Sequence, residues 1–166
     1  MDLHTRFVYR YASDRSQVRG RAPWEGFPSV RNGHNRWMSA LDMASIREVK
    51  ATFPLTVVAA RSARRWLDGT RIIPFDARDI VLVLVSELVS NSVVHSGLST
   101  QDTVRVLVAL LPGSLHVEVS DDGVGMGHDP PRGEQAFGLR MVERASDRWG
   151  HTDHPTRVWF EVALAA

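Results

Sequence analysis

The stretch from Ile80 to His95 decides most of what this chain can become. It reads Ile-Val-Leu-Val-Leu-Val-Ser-Glu-Leu-Val-Ser-Asn-Ser-Val-Val-His, apolar almost throughout. Asp76 stands where a helix N-cap belongs, and Gly97 stands where a helix stops. A helix apolar around most of its circumference belongs inside a protein. Three strongly polar residues interrupt it, Glu87, Asn91 and His95. Their i, i+4, i+8 spacing puts them on one stripe. A carboxylate buried without a partner is costly, so the stripe needs a reason. The plainer reading is the exposed stripe of an ordinary amphipathic helix. The functional reading is a cation or phosphate site, where Asn and Glu oxygens suit Mg²⁺ better than zinc.

The rest of the chain supplies a sheet for this helix. Val49 to Phe53 alternates and stops at Pro54, as an edge strand does. Thr56 to Leu67 reads as a helix with Val57, Val58, Ala60, Ala63 and Leu67 inward, stopped by Gly69. Val104–Ala109 and Leu115–Ser120 alternate around a Pro112-Gly113 turn and predict a hairpin. Residues 121–137 read as a glycine- and proline-rich loop, Gly138 to Arg148 as a helix, and Thr156 to Val162 as a final strand. The expected class is α+β, a mostly antiparallel sheet with helices on one face.

Residues 1–45 differ. They carry Gly, Pro and scattered Arg with no sustained period, and read as a mobile extension or a partner-binding arm. Seven arginines there against Asp2, Asp14, Glu25 and Asp42 give +3, and the remaining thirteen basic and fifteen acidic residues give −2. That modest charge ranks nucleic-acid binding last. The chain has no cysteine, which excludes disulfides, thiolate metal sites and cysteine nucleophiles. No run approaches the roughly 18–20 apolar residues of a membrane helix. The expected location is the cytoplasm.

Two further features bear on chemistry. Val119-Ser120-Asp121-Asp122-Gly123-Val124-Gly125 puts an aspartate at a strand end before two glycines that permit close approach of a ligand. Asp121 there suits acceptance of a hydrogen bond from a ligand amine. Asp122 reads as solvated. Ala136-Phe137-Gly138-Leu139-Arg140 reads as a loop entering a helix, where free backbone N–H groups attract anions. Each feature alone is commonplace; a turn or a helix start explains it.

In this order the features resemble the GHKL ATPase superfamily, the Bergerat fold, a two-layer α/β sandwich. Glu87 to His95 is similar to its N box, Asp121 to Gly125 to its first glycine box, Phe137-Gly138-Leu139 to its second, and Thr156 to Glu161 to its last strand. The resemblance covers about residues 46–166, read as an ATP-binding domain. Within the superfamily the chain most resembles the small anti-sigma-factor serine/threonine kinases of actinobacteria. The resemblance implies ATP and Mg²⁺ as cofactors. It implies Asn91 as the Mg²⁺ ligand and Glu87 as the base that activates water or a substrate serine. It implies Asp121 on the adenine amine, Gly123 and Gly125 beside the base, Gly138 and Leu139 amides on phosphate, and Thr156 in support of Asp121. His95 and Arg140 are lesser candidates.

The implied partners are a sigma factor and a serine-bearing anti-anti-sigma protein, with homodimerisation through the sheet edge or a helix face. Two positions depart from the pattern. Ala136 stands where the second box often has glycine, and Pro155 stands where glycine often precedes the final Thr. Both point to the alternative, a non-catalytic protein-binding module that holds ATP as a structural ligand or not at all.

Overall fold

The computed structural model describes residues 47–125, 133–153 and 155–165. The expected extension, residues 1–45, lies outside the described residues, as does the middle of the glycine-rich loop, 126–132. The elements run β1 (Arg47–Pro54), α1 (Ala59–Thr70), α2 (Phe75–His95), β2 (Thr103–Leu111), β3 (Ser114–Asp121), α3 (Gly133–Ala145), β4 (Arg148–Asp153) and β5 (Thr156–Ala163). The strands form one sheet in the order β1-β2-β3-β5-β4. Every neighbouring pair is antiparallel. The expected α+β sandwich is therefore what the chain forms, with three helices among the described residues packed against a five-stranded sheet.

Strand alternation builds the shared core. Val104, Val106 and Val108 of β2 and Leu115, Val117 and Val119 of β3 turn to the helix side, where all six are buried. Val106 pairs with Val119, and Val108 with Val117. Phe160 of β5, fully buried, lies beside Val117. From the helices come Ala63 and Leu67 of α1 and Val81, Leu84, Val85 and Leu88 of α2, all in the same cluster. α2 is thus the buried helix its sequence demands, and its Glu87, Asn91 and His95 stripe is half-buried at the edge of the core.

Several boundaries differ from expectation. β1 runs through Pro54, which an edge strand tolerates because a missing N–H there breaks no ladder bond. α1 begins at Ala59. Its inward face is Ala59, Ala63 and Leu67, whereas Val57 is 95% exposed and Val58 53%. Gly69 lies inside the last turn rather than ending it. Arg71, at φ 52°, takes the left-handed position after the helix. α2 starts after Pro74, so Asp76 lies in the first turn, where its charge favours the helix dipole, and provides no cap. An Arg78–Asp68 ion pair ties the start of α2 to the end of α1. Gly97, at φ 71°, stops α2 as expected.

The largest difference follows the glycine-rich loop. α3 starts at Gly133, five residues before the expected start, because Glu134, Gln135 and Ala136 are good helix formers. It ends at Ala145, and Arg148–Asp153, of which only Arg148 reads as helix in the sequence, is a strand. That strand is polar and lies at the sheet edge, paired on one side only to β5, so it lacks a clear alternating pattern. Its Gly150 makes room for the Trp159 ring opposite, since a β-carbon there would come within 2.8 Å of Cζ2.

Candidate nucleotide site

α2, the end of β3, α3 and the start of β5 converge on one cleft. Asp121, the last residue of β3, is 2% exposed with its carboxylate turned to the helix side. Its Oδ1 accepts a hydrogen bond from the Gly123 amide at 2.9 Å, the local turn an aspartate favours. Oδ2 accepts no hydrogen bond from a described residue. The turn is pinned to the end of α2 by the Val124 N–H, which donates to the Ser96 carbonyl at 3.2 Å. Here glycine is required at 123. A β-carbon would stand 2.5 Å from the Ser96 carbonyl oxygen. Gly125 has φ 83°, which L side chains rarely adopt.

Thr156 sits opposite Asp121 in the β3–β5 register. Its hydroxyl lies 3.1 Å from the Gly123 carbonyl and 3.3 Å from the Asp153 carbonyl. The expected support of Asp121 is therefore indirect. Thr156 holds the backbone of the turn that the Asp121 side chain also holds.

Across the cleft, α3 lies against α2 at a glycine. A β-carbon on Gly138 would stand 2.8 Å from Asn91 Nδ2 and 3.5 Å from its Oδ1. Asn91, His95, Asp121, Gly125, Leu139 and Thr156 are among the residues lining an inner cleft of about 40 Å³. An adjoining groove of about 290 Å³ is lined by Glu87, Ser90, Asn91, Val94, His95 and Phe137. The two share Asn91 and His95 and only together reach the size of small-molecule sites, from about 300 Å³ upward. Val94, Val124 and Phe137 are exposed apolar side chains, 62%, 73% and 60%.

The candidate residues thus divide. Asn91, Asp121, Gly125, Leu139 and Thr156 line the inner cleft, while Gly123 and Gly138 shape its approach to α2. Glu87 opens on the adjoining groove, one turn before Asn91. Arg140 is exposed and lines neither. One expectation fails. Gly138 and Leu139 do not open a helix; they lie in the second turn of α3, so their amides fall within the ladder and not at its open N-terminus. Sequence reading also missed Ser96, whose carbonyl anchors the turn, and Asp153, whose β-carbon position lies 3.0 Å from that of a side chain at Gly125. Ser96 carried a signal: it falls between the polar stripe and the helix-stopping Gly97.

Asp122, one residue beyond Asp121, points the other way. Arg105 of β2 grips it, Nη1 to Oδ2 at 3.0 Å and Nη2 to Oδ1 at 2.8 Å. The hydrogen bond from Arg105, and then its charge, hold the Asp122 carboxyl below the usual carboxylate range.

As to ions, no cluster of three or more His, Asp or Glu side chains among the described residues could hold a metal. The donors fit Mg²⁺ of another kind, one carried with phosphate and bound by one or two protein oxygens. Asn91 offers such an oxygen, in a position that a β-carbon at residue 138 would disturb.

Residues 50–161 match the model of the histidine kinase-like ATPase domain. No curated protein matches the chain. Among solved structures, the chain is similar to that described as the crystal structure of the RsbU and RsbW domains of Rv1364c from Mycobacterium tuberculosis. The TM-score is 0.57 at 21% identity, over 71% of this chain and 32% of that one. The likeness is one of fold, and it spans about a third of that chain.

Proposed function

Because this chain belongs to the family of histidine kinase-like ATPase domains, we propose that it binds ATP with Mg²⁺ and transfers the terminal phosphoryl group to a serine or threonine of a protein partner. The observation that carries the reading is Asp121, buried at the floor of a cleft with one carboxylate oxygen held by the Gly123 amide and the other open to a ligand. An adenine amine donates to such an oxygen. Guanine presents a carbonyl oxygen at the corresponding position and is repelled. Gly125, Leu139 and Thr156 wall the space around the base.

Bound Mg²⁺ neutralises charge on the phosphates. Asn91 is the residue that would hold it, and the lack of a side chain at Gly138 lets α3 approach Asn91 closely, which supports that reading. Glu87 is one helical turn away in the wider groove. It orients an incoming hydroxyl and takes its proton, provided that hydroxyl lies within hydrogen-bond reach. The serine-bearing anti-anti-sigma protein and the sigma factor implied by the sequence are the partners that go with this chemistry. Phosphorylation adds about 1.5–2 negative charges to the acceptor, enough to weaken an interface by repulsion and desolvation. Homodimerisation belongs to the same reading. No helix among the described residues is long and apolar enough to cross a membrane.

One observation favours the second reading, a protein-binding module without turnover. The Gly138 and Leu139 amides lie within the α3 ladder and are not free to hold phosphate. Labelled γ-phosphate transfer to a serine-bearing anti-anti-sigma protein separates the two. The kinase reading expects transfer by the wild type and loss in Glu87→Gln with ATP binding kept. Nucleotide binding without transfer, or transfer that survives Glu87→Gln, overturns it.

A further inference from the structure

β3 ends on Asp121, and Asp122 follows it at the start of the turn, its side chain drawn to the opposite face by Arg105. Asp121 enters the cleft, and Asp122 lies on the outer face with its side chain 68% exposed. Arg105 reaches it there from β2, where its register partner is Ser120 of β3. Arg105 is not among the residues lining the cleft or the groove. Its two nitrogens meet the two carboxylate oxygens of Asp122 in parallel. A forked pair of this kind fixes direction as well as distance.

The turn from Asp121 to Gly125 is therefore held on two sides. On the inner side are the Ser96 carbonyl, which receives the Val124 N–H, and the Thr156 hydroxyl at the Gly123 carbonyl. On the outer side is the Arg105 fork. We propose that Arg105 is a positioning residue for the nucleotide site: through Asp122 it fixes the outer limb of the turn and so the setting of Asp121 toward the base. The inference rests on the reading of the cleft as a nucleotide site. The mutual perturbation of the two groups agrees with it, since Asp122 raises the Arg105 guanidinium as Arg105 lowers the Asp122 carboxyl. An exposed pair is ordinarily a weak contributor to global stability. Its effect is accordingly local, on one turn.

The test uses the full chain as wild type, Arg105→Gln, Asp122→Asn and the swapped double variant Arg105→Asp with Asp122→Arg. Two quantities are read: amide hydrogen exchange at Gly123 and Val124 without ligand, and MgATP affinity by calorimetry. In each single variant both amides are expected to exchange about three- to fivefold faster and MgATP to bind about three- to fivefold more weakly, the size an exposed pair allows. The swap is expected to recover both. Unchanged exchange in the single variants, or a swap no better than they are, overturns the inference. A wild type that binds no nucleotide, with Gly123 exchange still dependent on Arg105, overturns the nucleotide reading and leaves Arg105 as the holder of the turn.

Discussion

Gly138 and Asn91 meet where α3 comes down on α2, so closely that a β-carbon on Gly138 would stand 2.8 Å from the Asn91 amide nitrogen. The atom in the way is the far end of a side chain, so alanine at 138 displaces Asn91 and leaves the backbone where it is. Alanine also favours a helix over glycine by up to about 1 kcal/mol. Gly138→Ala is therefore expected to keep the thermal midpoint within about 2–4 °C of wild type. It is expected to weaken MgATP binding about tenfold, which corresponds to about 1.4 kcal/mol. Thermal melts and calorimetry on the same preparation check both. Loss of stability with affinity kept would make Gly138 a packing residue only.

Gly123 faces a harder neighbour. Its missing β-carbon would stand 2.5 Å from the Ser96 backbone carbonyl and 2.8 Å from Asp121 Oδ1. Neither end of that contact yields without moving the α2 terminus or the turn. Gly123→Ala is expected to cost about 1–3 kcal/mol in denaturant unfolding, the usual range for overpacking, and to lower nucleotide affinity as well. A variant as stable as wild type would contradict the contact.

The same substitution on the edge strand β4 separates stability from function. Gly150 of β4 faces the Trp159 ring, with a β-carbon 2.8 Å from Cζ2. Gly150→Ala is expected to destabilise by about 1–3 kcal/mol. Neither residue is among those lining the cleft, so MgATP affinity is expected to stay within about twofold of wild type in conditions where the variant is folded. A large loss of affinity would show that β4 couples to the site.

The placing of several candidate site residues is legible in the sequence, and the reasons are specific. The Glu87, Asn91, His95 stripe stands out because its neighbours on α2 are so uniformly apolar. Asp121 reads as a strand end, as the structure has it, because β3 alternates cleanly up to Ser120. The start of α3 was misplaced because the glycine at 138 reads locally as a helix opening, although its cause is tertiary, the close approach of Asn91. β4 was missed because an edge strand with Arg148, Gly150 and Asp153 has no alternation to read, and only pairing with β5 defines it. Asp122 is solvated as its sequence suggests, with its side chain 68% exposed, but its pairing with Arg105 is not legible, because Arg105 is 17 residues away and adjacent only through the β2–β3 register.

The Arg105–Asp122 pair also sets a pH dependence with a definite sign. Asp122 has a folded-state pKa below its unfolded value, through the hydrogen bond from Arg105 and then the charge of that group. Its contribution is complete above the unfolded carboxylate value, about 3.9, and is lost as pH falls through the lowered folded value. Carbon-detected titration of the Asp122 carboxyl is expected to show a midpoint below the usual carboxylate range in wild type. In Arg105→Gln the midpoint is expected to return toward that range. Identical midpoints in the two proteins would contradict the pairing.

The most direct measurement is calorimetric titration of ATP with Mg²⁺ into the wild type and into Asp121→Ala, each first shown to be folded. Binding by the wild type that is abolished in Asp121→Ala is the result expected of a site whose base is read by that carboxylate. A folded wild type that binds no nucleotide, or an Asp121→Ala variant that binds as tightly as the wild type, would contradict it.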